Sequence, residues 1–497
     1  MQFRSECFTR RLATPGKLYH VAINMLPDEA LLEIFGFLMD DKDSMDAWHP
    51  LIHVCRKWRN IVFGSPRRLN LHLYCTAATP VKQMLDIWPP LPIIIDGSYC
   101  PSSNVDNIIA ALKPNNRVRD VVFKHASSSQ CEDVLAAMQV PFPELTRLHF
   151  ESKGETVPVV PDSFLGGSAP RLRSLSLDGI LFSGLSRLLL SAIDLVYLSL
   201  SNIPHSGYIA PQAIATCLST LTRLETLSLN FQSPKSRPDP GSRCLRPPAR
   251  SVLPALTELR FTGVSEYLED FVERIDAPRL HVLDIRFFFQ LIFDTPQLAQ
   301  FIERTPQLKA HDEARVVFSD SGATISLPRT IGDRGLELGI SCQQIDWQLS
   351  SLAQVCGSCF PRALISAVEH LHILEKQFSP RHWEKDIESN QWLDLFRPFN
   401  TVRHLYLSKG SAPLVMVALQ EFIGDSAMRV LPALQYLHLE FPPIWTSPAD
   451  YWGVRSCTAA PQASESRLLT EQSTADRLWT AMAMGVLIRI TTAAAYT

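Results

Sequence analysis

Cys356 and Cys359, in the stretch CGSC, are the one spacing in this sequence that resembles a small reactive motif. Two thiols at that spacing can cycle between dithiol and disulfide when the first is exposed at a helix N-terminus, where the dipole lowers its pKa. Here the pair trails IDWQLSSLAQVC, which reads as a helix, so it sits at the wrong end and no redox role is expected. A zinc reading would add His370 and His372, but these strand residues are expected to face opposite ways, so no metal is expected. The sequence holds no G-x-G-x-x-G, P-loop, G-x-S-x-G or H-E-x-x-H. Its carboxylates are spread along the chain with no pair assignable to acid–base work. A non-catalytic chain that needs no cofactor is the expectation.

The bounds agree with a large globular protein. At 497 residues the chain can bury a sizeable core in more than one domain. With 46% hydrophobic and 20% charged residues it reads as an ordinary globular protein. A net charge of −3 supplies no field to recruit nucleic acid or an anionic membrane. Arg4, Arg10, Arg11 and Lys17 open the chain without the apolar core of a signal peptide. No run reaches the roughly 18 apolar residues of a membrane span. Eleven scattered cysteines, an odd number, fit reduced thiols and a cytoplasmic or nuclear setting.

Two stretches near the start must fold as helices. In LPDEALLEIFGFL, Pro27 suits a first turn and Asp28 and Glu29 suit the positive end of the dipole. Leu31, Ile34, Phe35 and Leu38 follow at helical spacing, with Leu32 and Phe37 widening the stripe. After a loop at DDKDS a helix is expected to restart at Asp43 or Ser44. PLIHVCRKWRNIVFG is read as one further helix, carrying Leu51, Val54, Cys55, Trp58, Ile61 and Val62 and ending at Gly64. Three short helices cannot hide this many apolar side chains, each worth roughly 1.5–3 kcal/mol when buried. Some must pack on the rest of the chain or on a partner.

These residues resemble the F-box, especially as it occurs in large fungal families of F-box proteins. The Leu-Pro-x-Glu start at Leu26, the Ile-Phe-x-x-Leu run from Ile34 and the Val-Cys-x-x-Trp-Arg close from Val54 occur in order, so the resemblance covers about residues 23–66. It implies binding to the Skp-type adaptor of a cullin ubiquitin ligase. The adaptor-binding residues it implies are Leu26, Pro27, Leu31, Ile34, Phe35, Leu38, Leu51, Val54, Cys55 and Trp58. Residues 1–22 are then an N-terminal tail.

Downstream, residues 67–441 read as a leucine ladder. RRLNLHLY and LPIIIDG suggest early strands, and L-x-x-L-x-L units then begin at 145, 172, 195, 224, 256 and 280. Three more begin at 368, 402 and 434, as VEHLHI, VRHLYL and LQYLHL. Helices are expected between them, clearest in GYIAPQAIATCLSTL and VSEYLEDFVERI. Each unit can bury its strand face only by stacking on its neighbours. The expected fold class is therefore α/β, a small all-α bundle followed by an irregular leucine-rich-repeat-like solenoid. The polar residue usual after the last leucine is replaced by Ile180, Ile203, Val264 and Phe288, so irregular turns are expected. Residues 286–367 form an irregular insert with a helix, a hairpin at ARVVFSDSGATISLP and a strand at LELGISC, long enough for two or three degenerate repeats. Residues 233–251 are expected to be an exposed Pro/Ser/Arg loop. Residues 442–497 are an atypical tail, either disordered or a cap, and the repeats are expected to stay folded without residues 446–497.

Residues between the leucines of each strand face outward on the concave side. Aromatic and arginine side chains there are the usual anchors of an interface, so Tyr197, Arg260, Tyr406 and Tyr436 are the candidate contacts for a protein target. The expected function is a substrate-recognition subunit, with the adaptor and its cullin at one end and an unnamed target on the repeats. The alternative is a repeat scaffold, outside ubiquitination, whose bundle only caps the solenoid.

Overall fold

The computed structural model describes residues 26–39, 49–64, 70–87, 90–98, 104–154, 156–238, 250–308, 312–328, 335–376, 389–408, 410–421, 430–441 and 487–492. The tail 1–22 and the helix restart at 43–44 lie outside them. Three helices come first: α1 (Asp28–Met39), α2 (His49–Val54) and α3 (Arg56–Gly64). The expected single helix over 50–64 is thus two, broken at Cys55. Its carbonyl accepts from Arg59 N at 3.1 Å, the first bond of α3, and its sulfur accepts from Trp58 N at 3.5 Å. The thiol takes the place of a capping hydroxyl and satisfies a donor that a new helix start would leave open.

The strands are β1 (Leu71–Tyr74), β2 (Ile93–Asp96), β3 (Val118–Ala126), β4 (Arg147–Ser152), β5 (Ser174–Asp178) and β6 (Tyr197–Ile203). Then come β7 (Thr226–Phe231), β8 (Ser251–Val252), β9 (Glu258–Gly263), β10 (Ile275–Asp276), β11 (Val282–Phe288) and β12 (Glu313–Ser319). The last are β13 (Gly322–Leu327), β14 (Leu336–Ser341), β15 (His370–Glu375), β16 (His404–Ser408), β17 (Tyr436–Phe441) and β18 (Leu487–Thr492). Sixteen of them form one sheet in the order β1-β2-β3-β4-β5-β6-β7-β9-β11-β14-β13-β12-β15-β16-β17-β18. Every neighbouring pair is parallel except those of β13, which runs against both β12 and β14. β8 and β10 pair separately.

Leucine spacing accounts for this. Leu148, Leu175, Leu198, Leu227, Leu259, Leu283 and Leu336 stand in register across successive strands, all fully buried. The leucine opening each unit, as at Leu172, Leu195 and Leu224, is buried too. Between strands the chain returns through helices such as Pro211–Leu218 and Ser265–Val272, where periodicity placed them, so the sheet is packed on one face and open on the other. The result is an α/β solenoid. It starts earlier than the L-x-x-L-x-L units, because β1 fills the same inward positions with Leu71 and Leu73, and β2 and β3 fill them with Ile93, Ile95, Val121 and Phe123. Where the usual polar ladder is missing, Ile180, Ile203 and Val264 are buried as apolar turn residues. Gly179 and Asn202, at φ 66° and 47°, turn the chain there, and the Asn202 amide donates to Asp178 Oδ1 at 2.6 Å.

The insert does not form repeats. Its three strands fill three sheet positions as a meander, β14 beside β11 and β12 beside β15. The turn between β12 and β13 needs Gly322, since a Cβ there would collide with the Ile340 carbonyl on β14. Of residues 233–251 only the ends are described: Arg237 lies 3.6 Å from Glu266, and β8 begins at Ser251. The ladder also continues past Phe441, because β18 from the tail pairs in parallel along β17. A covered edge strand matters to a parallel sheet. Deleting residues 446–497 is expected to leave the repeats folded with the melting temperature a few degrees lower; an unchanged melting curve would show that β18 does not stabilise this edge.

Candidate functional site

The N-terminal bundle divides the residues implied as adaptor contacts into two sets. Leu31, Phe35, Leu51 and Trp58 point inward and are buried in the core. The Phe35 and Trp58 rings stand 4.8 Å apart between α1 and α3. These four pack the helices together in the chain alone, instead of lying on an open face as expected. Leu26 and Cys55 are half-buried, and Pro27 is exposed with its carbonyl accepting from Leu31 N at 3.1 Å. Lys57 fastens the entry to α1, donating to the Leu26 carbonyl at 2.9 Å and lying 3.3 Å from Asp28. The side chain of Leu38 lies outside the described residues. Ile34 and Val54 face solvent at 38% and 57% exposure, joined by Phe37 at 78% and Phe63 at 39%. Phe63 was missed because it falls in the last turn of its helix, after the Val-Cys-x-x-Trp-Arg motif from which the contacts were drawn.

On the concave face of the sheet the four candidate target contacts fall into two groups. Tyr197 and Arg260 lie two strands apart, β6 and β9 being separated by β7. Arg260 is held by Glu258 through an Nη2–Oε1 contact of 2.5 Å. Tyr406 and Tyr436 lie on adjacent strands much further along the sheet and are enclosed among histidine rings. Between the groups stand six strand spacings from β9 to β16, about 29 Å at roughly 4.8 Å each.

With this geometry in hand the comparison with known families is decisive for the bundle. Residues 23–69 match the F-box-like family. The match covers the three helices and leaves the repeats to be read from their own sheet. No curated protein matches the chain in sequence. Among solved structures, the chain is similar to the leucine-rich repeat-containing protein LegL7 from Legionella pneumophila, with 13% identity over 75% of this chain and 91% of that one, at a TM-score of 0.26. The assignment of the solenoid rests on register and burial, not on that likeness.

Cys356 and Cys359 are buried at the C-terminal end of helix Ile345–Ser358. Burial pushes the Cys359 thiol up to about 12 and Cys356 higher still, and the Thr295 hydroxyl donates to Cys359 Sγ at 2.8 Å. Thiols so held are unreactive. His370 and His372, two apart on β15, share one face of the strand, contrary to the sequence reading. They stand on the concave side, away from the cysteines, and no metal-holding group of three ligands occurs among the described residues.

Glu269 is the other buried ionisable group of note. It accepts from Gln297 N and Leu298 N, at 2.9 and 2.7 Å, at the start of helix Pro296–Arg304. Burial pushes its carboxyl up to about 7 against those two donors. The folded chain therefore holds this proton longer than the unfolded one, so stability should fall as pH rises through the window from about 4.5 to about 7. Comparing melting temperatures at about pH 5 and about pH 7.5, Glu269→Gln is expected to flatten that decline; an unaltered slope would place its origin elsewhere.

Proposed function

We propose that the F-box-like bundle docks on the Skp-type adaptor of a cullin ubiquitin ligase and that the repeats hold a protein target. The observation that carries this is the exposure of four large apolar side chains, Ile34, Phe37, Val54 and Phe63, on a bundle whose core is already filled. Large apolar side chains left exposed on a small bundle support an interaction role where they form a patch. The chain would contribute no catalytic group. It would raise the concentration of the target near the charged conjugating enzyme, which converts a bimolecular encounter into a local one. Such a role suits the cytoplasm or nucleus. Its test is co-purification of the full chain with a Skp-type adaptor: a stable complex supports the receptor, and a folded chain that ignores the adaptor overturns it.

A second reading has its own observation. The buried cluster runs without a break from Leu31 and Trp58 in the bundle to Leu71 and Ile93 in the first strands. A bundle so joined can also serve as the N-terminal cap that a solenoid requires. Loss of repeat stability on deleting residues 23–69, in a chain that never binds the adaptor, would favour this scaffold role.

A further inference from the structure

After β11 the chain turns two apolar residues outward and holds them there. The loop from Phe289 to Phe293 lies against the helix Ile345–Ser358, which follows β14. Gln290 and Phe293 face in. Gln290 is buried, its Nε2 donating to Glu266 Oε2 at 2.7 Å and its Oε1 accepting from Ser265 N at 3.1 Å. Phe293 is buried with its ring 5.7 Å from that of Phe287. Gln354 pins the backbone between them, accepting from Phe293 N and donating to the Leu291 carbonyl, both at 3.2 Å. With both sides of the loop fixed, Leu291 and Ile292 are left facing solvent at 71% and 76% exposure.

The same helix extends this surface. The Trp347 ring lies 4.6 Å from that of Phe289 and is 37% exposed. Gln354 follows Trp347 by seven positions, so the loop runs along about two turns, or about 10 Å, of the helix. A single exposed leucine is ordinary, but a Leu–Ile pair held out by hydrogen bonds beside a tryptophan has the composition of an interface. A carboxylate follows at each end in the chain, Asp346 next to Trp347 and Asp294 next to Phe293. Neither makes an ion pair among the described residues. No Lys or Arg occurs in residues 287–303 or 341–361, and Arg286, the nearest along β11, alternates onto the concave side.

We propose that this rim of the solenoid docks a short amphipathic helix of a partner protein, its apolar face on Leu291, Ile292 and Trp347 and a lysine or arginine at each end. Charge selects this occupant. About two turns of helix match the length of the apolar surface, and basic residues flanking them meet Asp346 and Asp294. A second copy of this chain would instead set carboxylate against carboxylate, which disfavours that pairing. Because the loop is already held, little ordering cost offsets the burial of its side chains. The surface stands eight strand spacings along the sheet from β1, where the F-box-like bundle joins the core. It therefore needs no adaptor.

The probe is a fluorescent helical peptide of about fourteen residues, roughly four turns, with leucines along one face and a pair of lysines at each end. A second peptide carries glutamate in place of each lysine. Titrated with the full chain at low salt, the lysine peptide is expected to bind at least about tenfold more tightly, the gap narrowing as salt rises. Leu291→Ser with Ile292→Ser should weaken the lysine peptide by about tenfold or more. The melting temperature should not move, since both side chains are exposed. Asp294→Asn with Asp346→Asn should weaken it by about fivefold and reduce the salt dependence. Ile34→Asp with Phe37→Asp, on the bundle, should leave peptide binding as it is, so a failure of adaptor capture bears only on the receptor reading. No binding of the lysine peptide, equal affinity for both peptides, or full binding by the folded serine variant would overturn the proposal. So would a dimer of the full chain that the serine substitutions dissociate, since the occupant would then be a second copy.

Discussion

Replacing Ile34 and Phe37 together with aspartate is expected to reduce capture of a Skp-type adaptor by about 100-fold or more. Both side chains face solvent in the free chain, at 38% and 78% exposure, and neither belongs to the buried core of the bundle. Central apolar anchors of an interface commonly cost at least about 2 kcal/mol each on truncation, and a charge in their place adds a desolvation penalty. Two such losses amount to about two orders of magnitude or more in affinity. The melting temperature should stay near that of wild type, because neither residue belongs to the core. Undiminished capture by the folded variant would show that the adaptor does not use this face.

Phe35→Ala should do the opposite. Phe35 is fully buried with its ring 4.8 Å from Trp58, and those two side chains join α1 to α3. Truncating a buried phenylalanine typically costs about 3–5 kcal/mol, comparable with what so small a bundle can hold. The helices around residues 28–64 are expected to lose protection from amide exchange while β4 to β11 keep theirs. Adaptor capture falls in both variants, then, but only Phe35→Ala should melt the bundle. Equal protection of α1 in wild type and Phe35→Ala would mean that the Phe35–Trp58 contact contributes little.

The contrast between these variants shows where the sequence stops being readable. Helical spacing placed Leu31, Ile34, Phe35, Leu51, Val54 and Trp58 on helices, but a wide apolar stripe does not tell its packed half from its open half. That division depends on how three helices meet, including the break at Cys55, and no periodicity encodes it. The leucine units from 145 onward were legible because each strand repeats one inward pattern in register with the last. β1 and β2 were read as strands from RRLNLHLY and LPIIIDG, but β3 was not, since valine and phenylalanine fill its inward positions without the leucine spacing. In the insert the strands could be recognised one by one, but their order in the sheet could not. Nothing local in LELGISC says that β14 will lie beside β11 and β12 beside β15.

The rings around Tyr406 and Tyr436 were half visible. VEHLHI, VRHLYL and LQYLHL each carry two ring-bearing residues flanking a leucine, and aligning the three units by their leucines brings His370, His404 and Tyr436 into one column. The tyrosines alone were singled out from that set. Stacking within about 4–5 Å follows from a strand spacing of roughly 4.8 Å, so the histidines belonged with them. Their contacts emerge only when register joins residues 34 and 32 positions apart.

Amide exchange on the full chain, alone and with a purified Skp-type adaptor, tests the division of labour most directly. The account predicts new protection over α1 and α3, residues 28–39 and 56–64, with the concave strands β4 to β17 exchanging as before. Protection appearing on those strands, or none anywhere in a mixture where both proteins are folded, would contradict it.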